Sequence, residues 1–569
     1  MKWVKRFLDM MRHREQRKVF YALFGGKMLG VGILFLLMMG ASAYFGGNSF
    51  GVLASDKMPA PSVSAPTEVS AAEQDMPGMP AKDPKAGPWV RPDGTIGPAG
   101  PAADPNQSAP HINAINTMWV LMTAFLVFFM QAGFMMLEAG FARSKETINV
   151  LLEGVIDTCL CGILFWGWGF AWMFGRGNGF IGNNFYFLQN IPDTYESTGV
   201  ATLAYFLFQF AFADCTSTIT SGAMVGRTGF VGDLLYSIVV SGVIYPILGH
   251  WAWGPDGWLN NITPAAFHDF AGSTVVHTIG GLIALAGAVV LGPRIGRKFK
   301  RDGGGPMPGH DMTIASVGTI ILWFGWYGFN PGSTLSAMDI LGIGRIACNT
   351  TLAAVAGGIT ALFWVYGKSK VWDCGATCNG ILAGLVAITC PCYWVSTLGA
   401  IILGAIAGVI VILGTDLLEY LRIDDPCGAV PVHGICGIWG TWSLGLFATG
   451  QYGAPTPNGA DLSAPMIVRG LFYGGGFDQL KAQIIGNGAI GGAALLLGFA
   501  LMYAVKATGT LRVSREGELQ GLDIHEHGGP CYPEIPVMVT PTPSNGSHSL
   551  ETPVLSPAHS PMESTLHSS

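Results

Sequence analysis

The stretch D-F-A-G-S-T-V-V-H-T-I-G-G, residues 269–281, decides the fold of this chain. It places His277 inside an apolar run, and the segment 270–291 is long enough to cross a bilayer as a helix. A second stretch, D-P-C-G-A-V-P-V-H-G-I-C-G at 425–437, repeats the spacing from the aspartate to the histidine, here His433. One membrane histidine alone is more often a hydrogen-bonded core residue than a functional group. Because two occur at the same place in a repeated pattern, we interpret them as functional residues on matching helices.

The composition indicates an all-α polytopic membrane protein. Of 569 residues, 50% are hydrophobic and only 12% are charged, whereas a soluble chain carries about 25% charged residues. The 81 glycines suit closely packed membrane helices. The net charge of −6 gives no indication of a nucleic-acid partner, and the 11 cysteines lack metal-site spacing. We therefore predict a protein that is not an enzyme and that holds no cofactor and no metal.

Composition also divides the chain into segments. Residues 1–43 are basic, then apolar, and end in small residues, which predicts a signal peptide; an uncleaved anchor helix is the alternative. Residues 44–112 form a Pro/Ala-rich exported linker, and 113–505 form the transmembrane core. Residues 506–529 are a polar cytoplasmic segment, and 530–569 are a disordered Pro/Ser-rich tail.

The core contains a series of apolar segments that we predict to be eleven transmembrane helices. They lie at about 115–138, 150–174, 200–223, 231–251, 270–292, 313–330, 346–366, 378–394, 398–418, 431–448 and 484–505. Alternate loops carry most of the lysines and arginines, so the core's N-terminus is predicted outside and the C-terminus in the cytoplasm. The two Asp/His helices are the fifth and the tenth and therefore run in opposite directions. This predicts a five-plus-five inverted repeat with its site near the midplane and a central pore per subunit.

Aromatic residues cluster at helix ends that the topology brings together. Phe208 and Phe212 lie one turn apart in the third helix, 323–333 reads W-F-G-W-Y-G-F-N-P-G-S, and Trp253 ends the fourth helix. Aromatics at a membrane edge are usually belt or core residues. Their ring faces also bind cations, so both interpretations stay open on these residues alone.

Four motifs resemble the Amt/Mep/Rh ammonium transporter family, and specifically its Amt branch. They are 116–140, D-F-A-G-S-T-V-V-H at 269–277, G-W-Y-G-F-N-P-G-S at 325–333 and D-D-P-C-G-A-V-P-V-H-G-I-C-G at 424–437. A further match, G-L-D-I-H-E-H-G, lies near the C-terminus. The resemblance runs from about residue 113 to 529 with its motifs in order.

The resemblance implies a role for each matching position. It implies an outer ammonium site at Trp253, Phe212 and Ser333, a pore gate at Phe212 and Phe329, paired pore histidines at His277 and His433, and structural or vestibule roles for Asp269, Phe208, Trp326 and Asp425. Asp214 departs from the family, which has a small neutral residue there. It should face away from the pore and be protonated or paired.

The implied function is ammonium transport. NH4+ would be recruited at the outer aromatic site and deprotonated, and NH3 would cross the twin-histidine pore with net proton or charge transfer. An ammonium sensor or transceptor that signals through its C-terminal segment and an Rh-like NH3 gas channel are the alternatives. The resemblance also implies a homotrimer in the cell membrane and a PII-type partner on the cytoplasmic face, which the regulatory segment 506–529 would serve.

Overall fold

The computed structural model of the protein describes residues 109–532. The predicted signal peptide (1–43), nearly all of the linker (44–112) and most of the tail (530–569) lie outside the described residues. Those assignments therefore stay predictions.

The described residues form eleven long helical segments, one for each predicted apolar segment. They are α1 (Pro110–Phe141), α2 (Ser144–Phe174), α3 (Thr202–Gly222), α4 (230–253), α5 (Ser273–Leu291), α6 (Met312–Gly332), α7 (Ile340–Ser369), α8 (Cys374–Thr389), α9 (Thr397–Leu421), α10 (430–447) and α11 (Asp478–Ala507). Eight of these segments are long and apolar enough to cross a membrane. The other three are α3, which is rich in buried polar residues, α8, which has 16 residues, and α10, which begins with a π-helical turn. The predicted class of an all-α polytopic membrane protein is confirmed.

Two small hairpins lie in the connections between helices. Strands β1 (Gly177–Asn178) and β2 (Ile181–Gly182) pair antiparallel after α2, and β3 (Ala454–Thr456) pairs with β4 (Gly459–Asp461) after α10. Both hairpins are only two or three residues long on each strand.

Hydrogen bonds between distant connections define two faces of the helical core. On the N-terminal face, where α1 begins, Asn116 donates to the Pro457 carbonyl and accepts from the Ala337 amide. On the C-terminal face, where α11 ends, the guanidinium of Arg294 forms an ion pair with Asp424. Since the connections alternate between these two faces, consecutive helices run in opposite directions.

The inverted repeat appears in how α5 and α10 begin. One carboxylate oxygen of Asp269 accepts from the Gly272 and Ser273 amides, and the other accepts from the two amides that follow. Asp425 accepts in the same way from the Gly428 amide and the two amides after it. In both cases the aspartate is followed three positions later by a glycine with positive φ, +113° at Gly272 and +75° at Gly428. Only glycine adopts that conformation readily, so the same cap is built twice, from opposite faces.

The C-terminal segment packs against the core on the C-terminal face. It contains two short helices, α12 (Arg515–Gln520) and α13 (Leu522–His527). Lys145 donates to the carbonyls of Glu518 and Leu519 at 3.0 and 2.6 Å, and Arg512 forms an ion pair with Glu518 at 2.8 Å. The segment is therefore part of the folded core.

Candidate functional site

The two predicted pore histidines meet in the centre of the helical core. The Nδ1 atoms of His277 and His433 lie 3.1 Å apart, and the two rings stack with centroids 5.2 Å apart. Both side chains are buried, with exposed fractions of 0% and 5%. At this distance one ring donates an N–H and the other accepts it, so the pair holds a proton between its two rings.

Local backbone geometry brings the histidines together. Each lies in a π-helical turn, Ser273–Thr278 in α5 and Val430–Ile435 in α10. Such turns insert one residue into the helical repeat and are frequent at functional sites. The helices cross where a side chain would not fit, because a Cβ on Gly281 would lie 2.1 Å from the Gly434 nitrogen.

A file of aromatic rings connects the histidine pair with the N-terminal face. The rings of Phe212 and Phe329 stack with centroids 4.0 Å apart and an interplanar angle of 24°. Phe329 stacks on His277 at 5.5 Å on one side, and Trp253 contacts Phe212 edge-to-face at 6.0 Å on the other. The five rings from Trp253 to His433 therefore follow one another without a gap.

The remaining predicted residues hold this file in place. The Trp253 indole N–H donates to the Asp269 carbonyl at 2.8 Å, and the Ser333 hydroxyl donates to the Phe329 carbonyl at 2.8 Å. Phe208 packs against Phe212 with centroids 4.7 Å apart. Asp269 and Asp425 act as the caps of α5 and α10, so their carboxylates are engaged by backbone amides.

Trp326 lies deeper than an outer vestibule position. It is fully buried, its ring stacks on His277 at 5.3 Å, and its indole N–H donates to the Thr389 hydroxyl at 2.9 Å. Trp326 therefore forms one wall of the histidine site. Trp326 precedes Phe329 by one turn of α6, a spacing that other aromatics of this helix share.

A cavity lies on the opposite side of the histidine pair. It is narrow, and it is lined by residues that include Phe134, Glu138, Asn379, Cys427, Gly428 and His433. A Cβ on Gly428 would lie 2.6 Å from the Asn379 amide nitrogen, and the residue has positive φ. The glycine is thus required by the backbone. The sequence alone gave no reason for it.

The C-terminal face carries an ion pair that sequence reasoning did not single out. Asp424 accepts three hydrogen bonds from Arg294, two from the guanidinium and one from the backbone amide, at 2.9–3.0 Å. Burial raises the pKa of the Asp424 carboxyl, but the hydrogen bonds from Arg294 and the charge of Arg227 outweigh it. The pKa is held well below its usual range, so Asp424 is ionised at every physiological pH.

Asp214 lies where the helix geometry predicted, away from the ring file. It is fully buried beside Thr158 of α2, and neither carboxyl oxygen has a hydrogen-bond partner among the described residues. The prediction that Asp214 is protonated or paired stays a prediction.

The eleven helical segments, eight of them long and apolar enough to cross a membrane, define a multi-pass membrane protein. The sequence profile described as Ammonium Transporter Family matches residues 118–532. The chain belongs to the ammonium transporter family.

Individual relatives agree with this assignment. The chain is 44% identical over 441 residues to the ammonium transporter Amt2 of Archaeoglobus fulgidus, covering 75% of this chain and 90% of the relative. It is 43% identical over 423 residues to a putative ammonium transporter of Synechocystis, covering 73% and 88%. Among solved structures, one described as a sensor Amt protein aligns with a TM-score of 0.65 and 36% identity over 73% of this chain and 98% of that chain. Mep2 of Candida albicans aligns with a TM-score of 0.64 and 26% identity over 71% and 87%.

Proposed function

We propose that this protein transports ammonium by binding NH4+ beside Trp253, removing its proton and conducting NH3 past the histidine pair. One observation carries the proposal, namely the unbroken order of rings Trp253, Phe212, Phe329, His277 and His433. A cation-binding ring lies at one end of this file, and a pair of titratable rings lies at the other.

Recruitment depends on ring faces and one hydroxyl. Trp253 and Phe212 present aromatic faces, which attract a cation by about 0.5–2 kcal/mol each. The Ser333 hydroxyl already donates to a carbonyl, so its oxygen lone pairs are available to accept an N–H of ammonium. Potassium has the same charge but no N–H donors, so it contacts this oxygen without the directional hydrogen bond that ammonium forms.

The Phe212/Phe329 stack closes the path below the recruitment site. Because the rings are 4.0 Å apart, their side chains must move for anything to pass. A desolvated cation is far more costly to bury than a neutral molecule. The stack therefore favours NH3 over NH4+ and over potassium.

The histidines supply polar contacts beyond the gate. The Nε2 atom of His277 is buried and has no hydrogen-bond partner among residues 109–532. Leaving a buried polar atom unpaired costs roughly 1–3 kcal/mol, which a passing ammonia molecule removes by bonding to it. The shared proton between the Nδ1 atoms gives the pair a means of accepting and returning a proton.

Electrical current under an ammonium gradient tests this proposal. The protein in liposomes should carry current with ammonium and none with potassium at the same concentration. An electroneutral NH3 flux would favour the alternative of a gas channel. Binding without any flux would favour a sensor, the alternative to which the similar structure described as a sensor Amt protein and the docked C-terminal segment lend support.

We also propose the orientation and assembly that the family resemblance implies. The N-terminal face is outside, the C-terminal face is cytoplasmic, and three chains assemble into a trimer in the cell membrane. In several helices, including α1 and α11, only 39–50% of the most apolar 18-residue stretch is buried inside the chain. Lipid or neighbouring subunits therefore cover the rest of these stretches. A clean monomer that retains transport in mild detergent contradicts the trimer.

The C-terminal segment is proposed to be regulatory, with a PII-type protein as its partner. The Tyr532 hydroxyl lies 3.1 Å from the His310 Nε2 atom, and the family profile also ends at 532. Deleting 533–569 should therefore leave transport intact, whereas deleting 516–569 should impair it. Loss of transport in the shorter deletion would mean that the tail belongs to the functional core.

A further inference from the structure

A second polar feature crosses part of the membrane core beside the ring file. On α2, Asn149, Glu153 and Asp157 are spaced by four residues, which places them on one face of the helix. That face packs toward α3, which contributes Asp214, and toward α4, which contributes Asp233. We call Glu153, Asp157, Asp214 and Asp233 the acid file.

The four carboxyl groups of the acid file are buried without counter-charges. Their exposed fractions are 3%, 1%, 0% and 0% in chain order. Within residues 109–532 no lysine, arginine or histidine forms an ion pair with any of them.

Several oxygens of the acid file also lack hydrogen bonds. Both carboxyl oxygens of Asp157 and of Asp214, and one of Asp233, have no partner in the described part of the chain. The Ser237 hydroxyl is fully buried and faces Asp157, but it forms no well-aligned hydrogen bond in the described part of the chain. A folded core rarely leaves so many polar side chains without partners in one place, which points to a ligand-binding role for the acid file.

Protons are the ligand that fits this arrangement. An unpaired carboxylate in a low-dielectric interior is so costly that the group holds a proton instead. A metal ion is the competing ligand, but the described residues contain no group of three acidic, His or Cys side chains placed to hold one. Neutral acids need no counter-charge, so several of them can lie on one buried face.

The C-terminal segment covers one end of the acid file. Glu153 accepts from the Asn149 side-chain amide at 2.8 Å, and the Asn149 oxygen lies 2.9 Å from the His527 Nε2 atom. Asp523 accepts from the backbone amides of Thr147 and Asn149, at 3.1 and 3.0 Å, and so caps the first turn of this same helix. A continuous chain of polar contacts therefore connects the tail with the first buried acid.

We propose that the acid file is a membrane-embedded proton-binding site, that the hydrogen bonds of Asn149 and His527 link its Glu153 end to the C-terminal segment, and that its proton occupancy is coupled to docking of that segment. Coupling is reciprocal, so a docked tail changes proton affinity by the same factor as protons change tail docking. The site uses neither histidine of the pore and goes beyond the proposed transport mechanism. The other titratable groups that face it from neighbouring elements are Glu138, Cys161, Cys215, Tyr236, Asp425 and Asp523.

Infrared spectroscopy of the full-length protein in liposomes tests proton occupancy directly. A protonated carboxyl gives a carbonyl band that is distinct from carboxylate bands and shifts in heavy water. We expect this band in the wild type at neutral pH and expect it to weaken in Asp157→Asn and Asp214→Asn. Asp193→Asn, at an exposed position on the N-terminal face, is the matched control and should leave it unchanged. A band identical in all four proteins, or absent from the wild type, overturns the proposal.

Chemical labelling of the wild type keeps the test independent of how the variants fold. Dicyclohexylcarbodiimide reacts with protonated carboxyls in apolar surroundings, and peptide mapping locates the adducts. Adducts on α2, α3 and α4 at the acid file support the proposal. Labelling restricted to exposed carboxyls contradicts it.

The coupling to the tail is tested by titrating the same infrared band. His527→Ala should change the proton affinity of the file by roughly fivefold or more, the lower end of typical coupling between sites. His525→Ala is the control, because His525 is exposed and only two positions away. An unchanged midpoint in His527→Ala, or equal shifts in both variants, overturns the coupling.

Discussion

The Nδ1 atoms of His277 and His433 approach to 3.1 Å although the residues are 156 positions apart in the chain. Each side chain arrives on a helix that begins with an aspartate cap and a positive-φ glycine at the same distance before the histidine. The contact therefore depends on two copies of one local structure and on the crossing of α5 and α10 at Gly281 and Gly434.

The helix crossing gives the first prediction. In Gly281→Ala the new methyl group would lie 2.1 Å from the Gly434 nitrogen, a backbone atom that cannot rotate away. We expect a loss of stability of about 1–3 kcal/mol, because α5 and α10 must separate. Ammonium flux should fall by more than this destabilisation alone would cause. Thermal unfolding and ammonium flux measure the two effects. Gly492→Ala on α11 is the control, since no atom lies within 4 Å of its added carbon. Equal behaviour of both variants would show that the crossing is not tight.

The ion pair on the C-terminal face gives the second prediction. Asp424→Asn leaves Arg294 buried without its counter-charge, and removing one partner of such a pair costs about 3–5 kcal/mol. Asp302→Asn breaks the exposed pair with Arg422, which solvent screens, and should leave the stability nearly unchanged. Thermal unfolding of the two variants gives the comparison.

The pH range in which Asp424 stabilises the fold follows from the direction of its pKa shift. The pKa of Asp424 is depressed below its unfolded value of about 3.9, so its stabilisation is complete above that value. It is lost only as the pH falls further, through the folded-state pKa. The stability difference between wild type and Asp424→Asn should therefore stay constant from pH 8 down to about 5. A difference that shrinks at pH 6 contradicts this assignment.

His268 on the N-terminal face gives a prediction with a pH range nearer neutrality. Burial lowers the pKa of this imidazole to about 4, and its ring packs on Trp394 with centroids 5.3 Å apart. The folded-state pKa lies below the unfolded value of about 6.5, so the neutral ring stabilises the fold above pH 6.5, and that stability is lost as the pH falls toward 4. Because the side chain is only partly buried, we expect a loss on the order of 1–2 kcal/mol at pH 5.

His268→Phe keeps a ring against Trp394 and removes the titration. The stability of the wild type should fall relative to this variant between pH 6.5 and 4, as measured by thermal unfolding at matched ionic strength. Parallel pH curves for the two proteins would mean that His268 does not titrate in the fold.

The sequence predicted the parts of the site that repeat. The spacing from Asp269 to His277 recurs from Asp425 to His433, and a repeated spacing on oppositely directed helices leaves few ways to place the two rings. The π-helical turns were not predictable, because one extra residue in a turn leaves no mark in an apolar pattern. Trp326 was predicted only as a structural or vestibule residue, without its contact to His277, for a related reason. Several aromatics of α6 have similar spacing, and only the rotation of the helix decides which one faces His277.

The acid file shows a second limit of sequence reasoning. The four-residue spacing of Asn149, Glu153 and Asp157 indicates one helix face, but a solvent-exposed face has the same pattern. Burial of the carboxyls follows from the packing of α2 against α3 and α4, which no local pattern contains. Of the four acids, only Asp214 is distinctive in the sequence, because it departs from the residue type that the family has at its position.

The histidine pair gives the last and sharpest prediction. If the two rings only hold the helices together, replacing either one with asparagine should cost roughly 0.6–2 kcal/mol of stability and leave transport intact. If they accept and return a proton, His277→Asn and His433→Asn should keep the fold and the assembly, yet abolish charge transport or admit potassium, because the path stays polar but no longer titrates. Current in liposomes with ammonium and then with potassium distinguishes the two outcomes.

We expect loss of charge transport or entry of potassium, because the His277 Nε2 atom is buried without a partner in the described chain, whereas a purely structural histidine uses both ring nitrogens. His310→Asn, at a histidine bonded to Ala142 and Tyr532 on the C-terminal face, is the matched control and should carry the wild-type current. Folded variants of His277 and His433 with unchanged ammonium current and unchanged potassium exclusion would remove the pair from the mechanism.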